Sequence, residues 1–292
     1  GKGSQNATRM AEEEIRMSGQ WTKSEIMRFG IAKCSRMAKE ETSMSEQRTV
    51  SWFSCGAASA VATKLALSEG EPITIAYCHI EEEHPDNARF LKDCEEWFGQ
   101  KIVILQNDFY EGSIYRVFEK NYMRTPGGSP CTRALKKQVR ERFELPTDRQ
   151  VFGYTVEEQS RVDRFIDANA QVDVWPILIE KGLTKEDCLG ILANAGIDLP
   201  MQYKLGFRNN NCLGCVKGGQ GYWNKTREVH PEVFKRMADF EKEKGYTVLK
   251  NADSSPLYLH DLDPKAGHYP SEMAVECGIF CHMAEQDIGG KT

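Results

Sequence analysis

The 292-residue chain lacks any apolar run approaching the roughly 18–20 residues that a membrane-spanning helix requires. Its first 45 residues are polar and charged, without the apolar stretch of a secretion signal. It lacks a strong charge of either sign: a formal net charge of −5 exerts no global pull toward nucleic acid or anionic lipid. No internal repeat recurs along it. These absences argue against a spanning helix and a repeat array, and a cytoplasmic location without a membrane partner is expected. A local cluster of Lys and Arg between Arg124 and Arg142 leaves a basic cleft, and with it nucleic acid, open.

What is present is a 40% hydrophobic composition, enough for a packed core, in a length suited to one large domain or a main domain with appendages. Ten cysteines are unusual for such a chain. In a reducing compartment they serve as core residues, metal ligands or nucleophiles rather than disulfides.

Three regions are expected. Residues 1–47 form an N-terminal extension, partly helical or disordered, in which Gly1–Arg9 reads as a tag remnant or disordered lead. Residues 48–176 form a nucleotide-binding α/β core, and residues 177–292 a helical C-terminal region with a CxxC loop and a Cys-bearing tail. Strands are expected at Thr49–Phe53, Ile73–Ile80, Ile102–Leu105 and Gln150–Tyr154. Helices are expected at Ala57–Ser68, Asn87–Phe98, Thr132–Phe143 and Val156–Ala168. Strands separated by helices indicate βαβ units and a parallel sheet flanked by helices, that is, a Rossmann-like α/β fold. Beyond Pro176, helices are expected at Leu183–Ala195, opened by a Thr184/Asp187 cap, and at Glu232–Lys244, closed by Gly245, with a loop at Asn209–Gly221.

The segment Ser54-Cys55-Gly56-Ala57-Ala58-Ser59 lies directly between an expected strand and an expected helix. Small residues there let the backbone approach a ligand, and exposed N–H groups with the helix dipole favour an anion. Gly56 is the position expected to need positive φ. The alternative is a tight strand-to-helix turn with no ligand.

These six residues resemble the PP-loop of the adenine-nucleotide α-hydrolases, with Cys55 and Ala58 departing from its usual Gly and Asp. Further segments resemble the phosphoadenosine phosphosulfate (PAPS) reductase family in the expected order. They are Glu83-His84-Pro85-Asp86-Asn87, Cys131-Thr132-Arg133-Ala134-Leu135-Lys136, and Gly153-Tyr154 with Glu158-Gln159-Ser160-Arg161. The run Asn211-Cys212-Leu213-Gly214-Cys215 through Asn224 looks like a version found among phage and bacterial members. The resemblance covers most of Val50–Cys281. It implies an adenine-nucleotide site of Ser54, Cys55, Gly56, Ala57, Ala58, Ser59, His84, Lys136 and Arg161. Lys136 and Arg161 suit phosphate or sulfate, while Arg140 and Arg164 serve as ligands or as solvated charges.

Cys212-x-x-Cys215 has metal-ligand spacing, open between iron–sulfur, zinc and a redox dithiol. With Cys131 it resembles the Cys…CxxC arrangement of cluster-bearing sulfonucleotide reductases, which implies a 4Fe–4S cluster, or zinc, on Cys131, Cys212, Cys215 and Cys281. Glu276-Cys277-Gly278 resembles the reductases' C-terminal motif and makes Cys277 the implied nucleophile. Cys34, Cys78, Cys94 and Cys188 are expected in the core.

The leading expectation is thiol-dependent reduction of PAPS or adenylyl sulfate to sulfite and nucleotide, with a thioredoxin-like reductant as partner. The first alternative is cleavage of ATP between its α- and β-phosphates with Mg2+, adenylating a substrate for sulfur insertion or nucleic-acid modification. The second is a non-catalytic nucleotide-binding module. Homo-oligomers fit any of the three.

Overall fold

A computed structural model of the chain describes residues 47–125, 127–269 and 279–289. The expectations for the N-terminal extension, Cys34 and Cys277 lie outside the described residues, as does that for the Cys281 side chain.

Strand β1 (Thr49–Phe53) is buried at every position. Val50 and Trp52 pack into the cluster on one sheet face, whereas Phe53 joins the cluster on the other. Burial on both faces explains its apolar Val50, Trp52 and Phe53, while the buried Ser51 hydroxyl is satisfied by the Thr63 hydroxyl at 2.7 Å. Helix α1 (Ala57–Ser68) follows, then β2 (Ile73–Cys78), α2 (Asn87–Phe98) and β3 (Val103–Leu105). Next come the short α3 (Ile114–Lys120) and α4, three consecutive helical segments at Pro130–Thr132, Arg133–Lys137 and Gln138–Phe143. The middle segment of α4 has the wider π-helical turn. Strand β4 (Arg149–Val151), α5 (Gln159–Ala168) and β5 (Asp173–Trp175) complete the sheet.

The sheet order is β3-β2-β1-β4-β5, and every pairing is parallel. In register, Thr49 faces Ile73 of β2 on one side and Arg149 of β4 on the other. The chain steps outward from β1 to β3, then returns and steps the other way through β4 and β5. The reversal falls between β1 and β4, the place where open α/β sheets form a ligand crevice outside the carboxyl ends of their strands.

The remaining elements are α6 (Ile177–Glu180), α7 (Lys185–Asn194), α8 (Met201–Lys204), α9 (Gln220–Val229), α10 (Pro231–Lys244), a β6–β7 hairpin (Leu249–Lys250 with Pro256–Leu257) and α11 (Ile279–Gly289). Helix α7 starts on a reciprocal cap: the Asp187 N–H donates to Thr184 Oγ1 at 3.1 Å, and the Thr184 N–H donates back to Asp187 Oδ2 at 2.9 Å. Gly245, with φ 75°, closes α10 in the left-handed conformation.

Leu65 of α1, Phe90 of α2 and Leu189 of α7 share one core with Ile177 and Leu178, so this cluster continues past residue 176. Each such fully buried apolar side chain contributes about 1.5–3 kcal/mol. On the opposite face Val139 and Phe152 pack with Trp52. A third cluster joins Phe118, Leu135, Trp223 and Met237 beneath the C-terminal helices. Among the described residues no helix is long and apolar enough to cross a membrane.

Candidate nucleotide-binding site

The loop Ser54–Ser59 lies at the carboxyl end of β1, facing the crevice beside β4. Its left-handed residue is Cys55, with φ 53°, while Gly56 is extended at φ −111° and ψ 156°. This corrects the expectation that Gly56 needs positive φ. The turn takes its strained step one residue earlier, at a cost of about 1–3 kcal/mol. The Asn210 side-chain amide holds it there by donating to the Cys55 carbonyl at 2.6 Å. The Cys55 side chain has no solvent exposure, and burial drives its thiol well above the ordinary range. Cys55 therefore shapes the loop with its backbone.

Ser59 ties the loop together from inside. Its hydroxyl oxygen accepts from the Ser54 N–H at 3.0 Å and the Ser54 hydroxyl at 3.1 Å, and donates to the Gly56 carbonyl at 2.9 Å. Ser54 remains exposed, and Gly56 and Ala58 are half-buried. No acidic residue stands in the first turn of the twelve-residue α1, so nothing on the helix itself opposes an anion at its positive end. Gly153, just beyond β4, closes the other wall: a Cβ there would lie 2.5 Å from the Ser59 nitrogen.

A buried polar network runs from the loop to Lys136. Besides the Cys55 carbonyl, the Asn210 amide reaches Asn87 Oδ1 at 2.8 Å. Asn87 in turn donates to Glu83 Oε2 at 2.8 Å, and the Tyr77 hydroxyl donates to the same oxygen at 2.5 Å. The other Glu83 oxygen stands 3.8 Å from Lys136 Nζ. Burial is the largest single influence and pulls the Lys136 ammonium down, but Glu83 together with Cys212, Cys78 and Cys215 outweighs it, so Lys136 titrates above its ordinary value and stays charged. Its side chain keeps 39% of its surface accessible, enough for a ligand to reach it. Lys136 lies within the π-helical turn of α4, a local geometry often found at functional sites. Neighbouring Glu82 accepts from the Ser113 hydroxyl at 2.5 Å and the Ile114 N–H at 2.8 Å, securing the start of α3.

The other expected anion ligands sit differently. The exposed Arg161 pairs with Glu158 and lies 5.1 Å over the Tyr154 ring. Arg140 is stacked between Trp52 and Phe152 at 5.2 and 4.7 Å and pairs with Glu144 at 3.6 Å, the environment of a packing residue. Arg164 donates to the Ser160 carbonyl of its own helix. His84 accepts the Asp86 N–H on Nδ1 at 3.1 Å, and its ring centroid lies 5.8 Å from that of His230. Burial lowers both imidazoles, so they are neutral at pH 7.

Cys131, Cys212 and Cys215 come into one neighbourhood. Burial pushes the Cys131 thiol up to about 11 with Cys215 adding to it, and burial likewise raises Cys212 against the pull of Lys136. The Cys215 N–H donates to the Tyr222 hydroxyl at 2.9 Å. Three thiols are the donor type that iron–sulfur clusters and zinc take. Among the described residues, however, no group of three His, Cys, Asp or Glu is arranged to hold a metal ion. As placed, the trio does not fit a chelate. Cys78, Cys94 and Cys188 are buried in the core.

A cavity of about 540 Å³ opens between α3 and α10. Its carboxylates, Glu119, Glu232, Asp239 and Glu243, outnumber Lys235 and Arg236 and disfavour an anionic ligand there. The sequence places Glu83 in the Glu83–Asn87 segment without a role of its own, and gives no sign of Asn210 and Tyr203 as parts of the candidate site. The signal at Glu83 is its place in an acidic run, Glu81–Glu83, that follows the second strand.

The geometry defines an α/β protein with a parallel five-stranded sheet, a strand-to-helix loop at its switch point, and a buried polar network from that loop to Lys136. No protein-family model matches the chain, and no curated protein matches it either.

Proposed function

We propose that the chain is an adenine-nucleotide enzyme resembling the PAPS reductases, holding the phosphates of a sulfonucleotide at Ser54–Ser59 with Lys136 beside them. One observation carries this reading: an unopposed helix head at the carboxyl end of β1 is joined, through Asn210, Asn87 and Glu83, to a charged, reachable lysine.

Burial raises the thiols of Cys55, Cys131 and Cys212, which makes these three poor nucleophiles at neutral pH. The nucleophile on this reading is Cys277 of the tail. Its thiolate attacks the sulfate sulfur, a sulfur–sulfur bond forms, and the sulfur–oxygen bond to phosphate breaks, the electron pair leaving with the nucleotide. A second thiolate, from Cys281 or an external dithiol, then attacks the Cys277 sulfur. Sulfite departs and a disulfide remains, so the thiols supply the two electrons. Lys136 balances charge on the bound anion, and Glu83 keeps it oriented.

A second reading has one observation in its favour. Glu83 places a buried carboxylate near the loop, where Ala58 offers none, and such an oxygen suits the Mg2+ of ATP. Product analysis separates the two readings. Sulfite released from PAPS or adenylyl sulfate, and lost in Cys277→Ser with binding retained, supports the reductase. Pyrophosphate released from ATP with Mg2+, and no sulfite from either sulfonucleotide, replaces it with the ATP-cleaving enzyme.

A further inference from the structure

The short helix α8 brings an aromatic residue onto the head of α1. The Ala57 N–H, at the start of that helix, donates to the Tyr203 hydroxyl oxygen at 3.3 Å. The position of α8 is fixed from the β2–α2 side. Asp86 Oδ2 accepts the Met201 N–H at 2.8 Å, and Arg89 donates to the carbonyls of Asp198 and Leu199 at 3.0 and 3.2 Å. Arg89 is locked in turn onto Asp86 at 2.7 Å and Asp93 at 2.6 Å. This scaffold is elaborate for a residue that only covers a loop.

The Tyr203 oxygen thus accepts a main-chain amide, while its own proton has no acceptor among the described residues. It sits at the mouth of the loop, where a Cβ on Gly56 would meet the Tyr203 oxygen at 3.4 Å and the Ser54 oxygen at 3.8 Å. The neighbouring Asn210 spends its donors inside the protein. Asn210, with 8% of its surface exposed, uses its amide hydrogens on the Cys55 carbonyl and Asn87 and leaves Oδ1 without a donor.

We propose that Tyr203 is a ligand-binding residue whose hydroxyl, polarised by the Ala57 amide, donates to a phosphate or sulfate oxygen of the nucleotide at Ser54–Ser59. This rests on the proposed nucleotide site and extends it by a donor from a different segment of the chain. Burial raises the phenol to about 12, partly offset by the main-chain N–H groups of Ala57 and Asn210, so the proton is in place at neutral pH. The loop then reads an anion with a hydroxyl from α8 on one flank and Lys136 from α4 on the other.

Calorimetric titration of the full chain with adenylyl sulfate and with ATP, wild type beside Tyr203→Phe, tests this. A hydrogen bond to a charged group predicts affinity lower by about 10- to 100-fold in Tyr203→Phe, with the thermal midpoint held. Wild-type binding with equal or tighter binding by Tyr203→Phe overturns the proposal and leaves the nucleotide site standing. No binding of either nucleotide by wild type or variant overturns both. Should Tyr203→Phe fail to fold, 3-fluorotyrosine placed at position 203 gives the answer by fluorine NMR. Its resonance moves when adenylyl sulfate is added if the hydroxyl touches the anion, and an unmoved resonance at saturation overturns the contact.

Discussion

Gly153 and Ser59 meet so closely that the end of β4 and the head of α1 behave as one joint: a Cβ on Gly153 would stand 2.5 Å from the Ser59 nitrogen and 2.7 Å from the Ala58 carbonyl carbon. The atoms in the way are backbone, which cannot rotate aside. Gly153→Ala must therefore push the loop off β4, costing about 1–3 kcal/mol as overpacking does. The thermal midpoint should fall, and nucleotide affinity should fall at least tenfold at a temperature where the fold is intact. Gly56→Ala is the contrast. Gly56 is extended, and its Cβ would meet the Tyr203 oxygen at only 3.4 Å, so stability should change little.

Lys136→Met keeps length and removes the charge. Glu83 retains its Tyr77 and Asn87 donors, so the fold should hold. Loss of a charged contact predicts affinity for adenylyl sulfate reduced by about 10- to 100-fold. The salt dependence of binding should flatten with it, because one screened attraction is gone. Titrations at low and high salt check both effects. Unchanged affinity would remove Lys136 from the site.

The Asp86 carboxyl is held below its ordinary 3.8, first by the Arg89 guanidinium and, against burial, by the Met201 N–H. A lowered acid gives stability that is present above the unfolded value and lost as pH falls through the folded one. Wild-type stability should therefore decline in acid below about pH 5. Asp86→Asn should be less stable at neutral pH and show a shallower acid decline. Thermal unfolding from neutral to acid pH measures this, and parallel curves for the two proteins would contradict it.

Thr184→Ala removes the oxygen that accepts the Asp187 N–H at 3.1 Å. It should cost about 1 kcal/mol, the typical loss of a helix cap. Nucleotide affinity should stay unchanged, since α7 contributes to the core rather than to the loop. Chemical denaturation and titration of the same sample give both quantities.

Elements with strong local signals were legible in the sequence. Ala57–Ser68 and Asn87–Phe98 appear with the expected ends, because an Ala-rich run and a 3.6-residue apolar spacing leave little alternative. The Thr184 cap and the Gly245 stop were readable for the same reason. Strand β5 was not, because Asp173–Trp175 is three residues long and only half-buried at its apolar positions. Helices α3 and α9 escaped through shortness and through the Gly-rich approach to Gln220. The loop itself was visible from its small residues between strand and helix. Its partners were not, since Asn210 and Tyr203 reach it from more than a hundred residues away, across contacts that no local pattern encodes.

The central claim is that the crevice between β1 and β4 binds an adenine nucleotide. Isothermal titration of the full chain with PAPS, adenylyl sulfate and ATP, the last with and without Mg2+, tests it most directly. The account predicts saturable binding of at least one of them at a single site, weakened in Gly153→Ala and in Lys136→Met. Absence of binding by folded wild-type protein for all of them, or binding that neither substitution weakens, would contradict it.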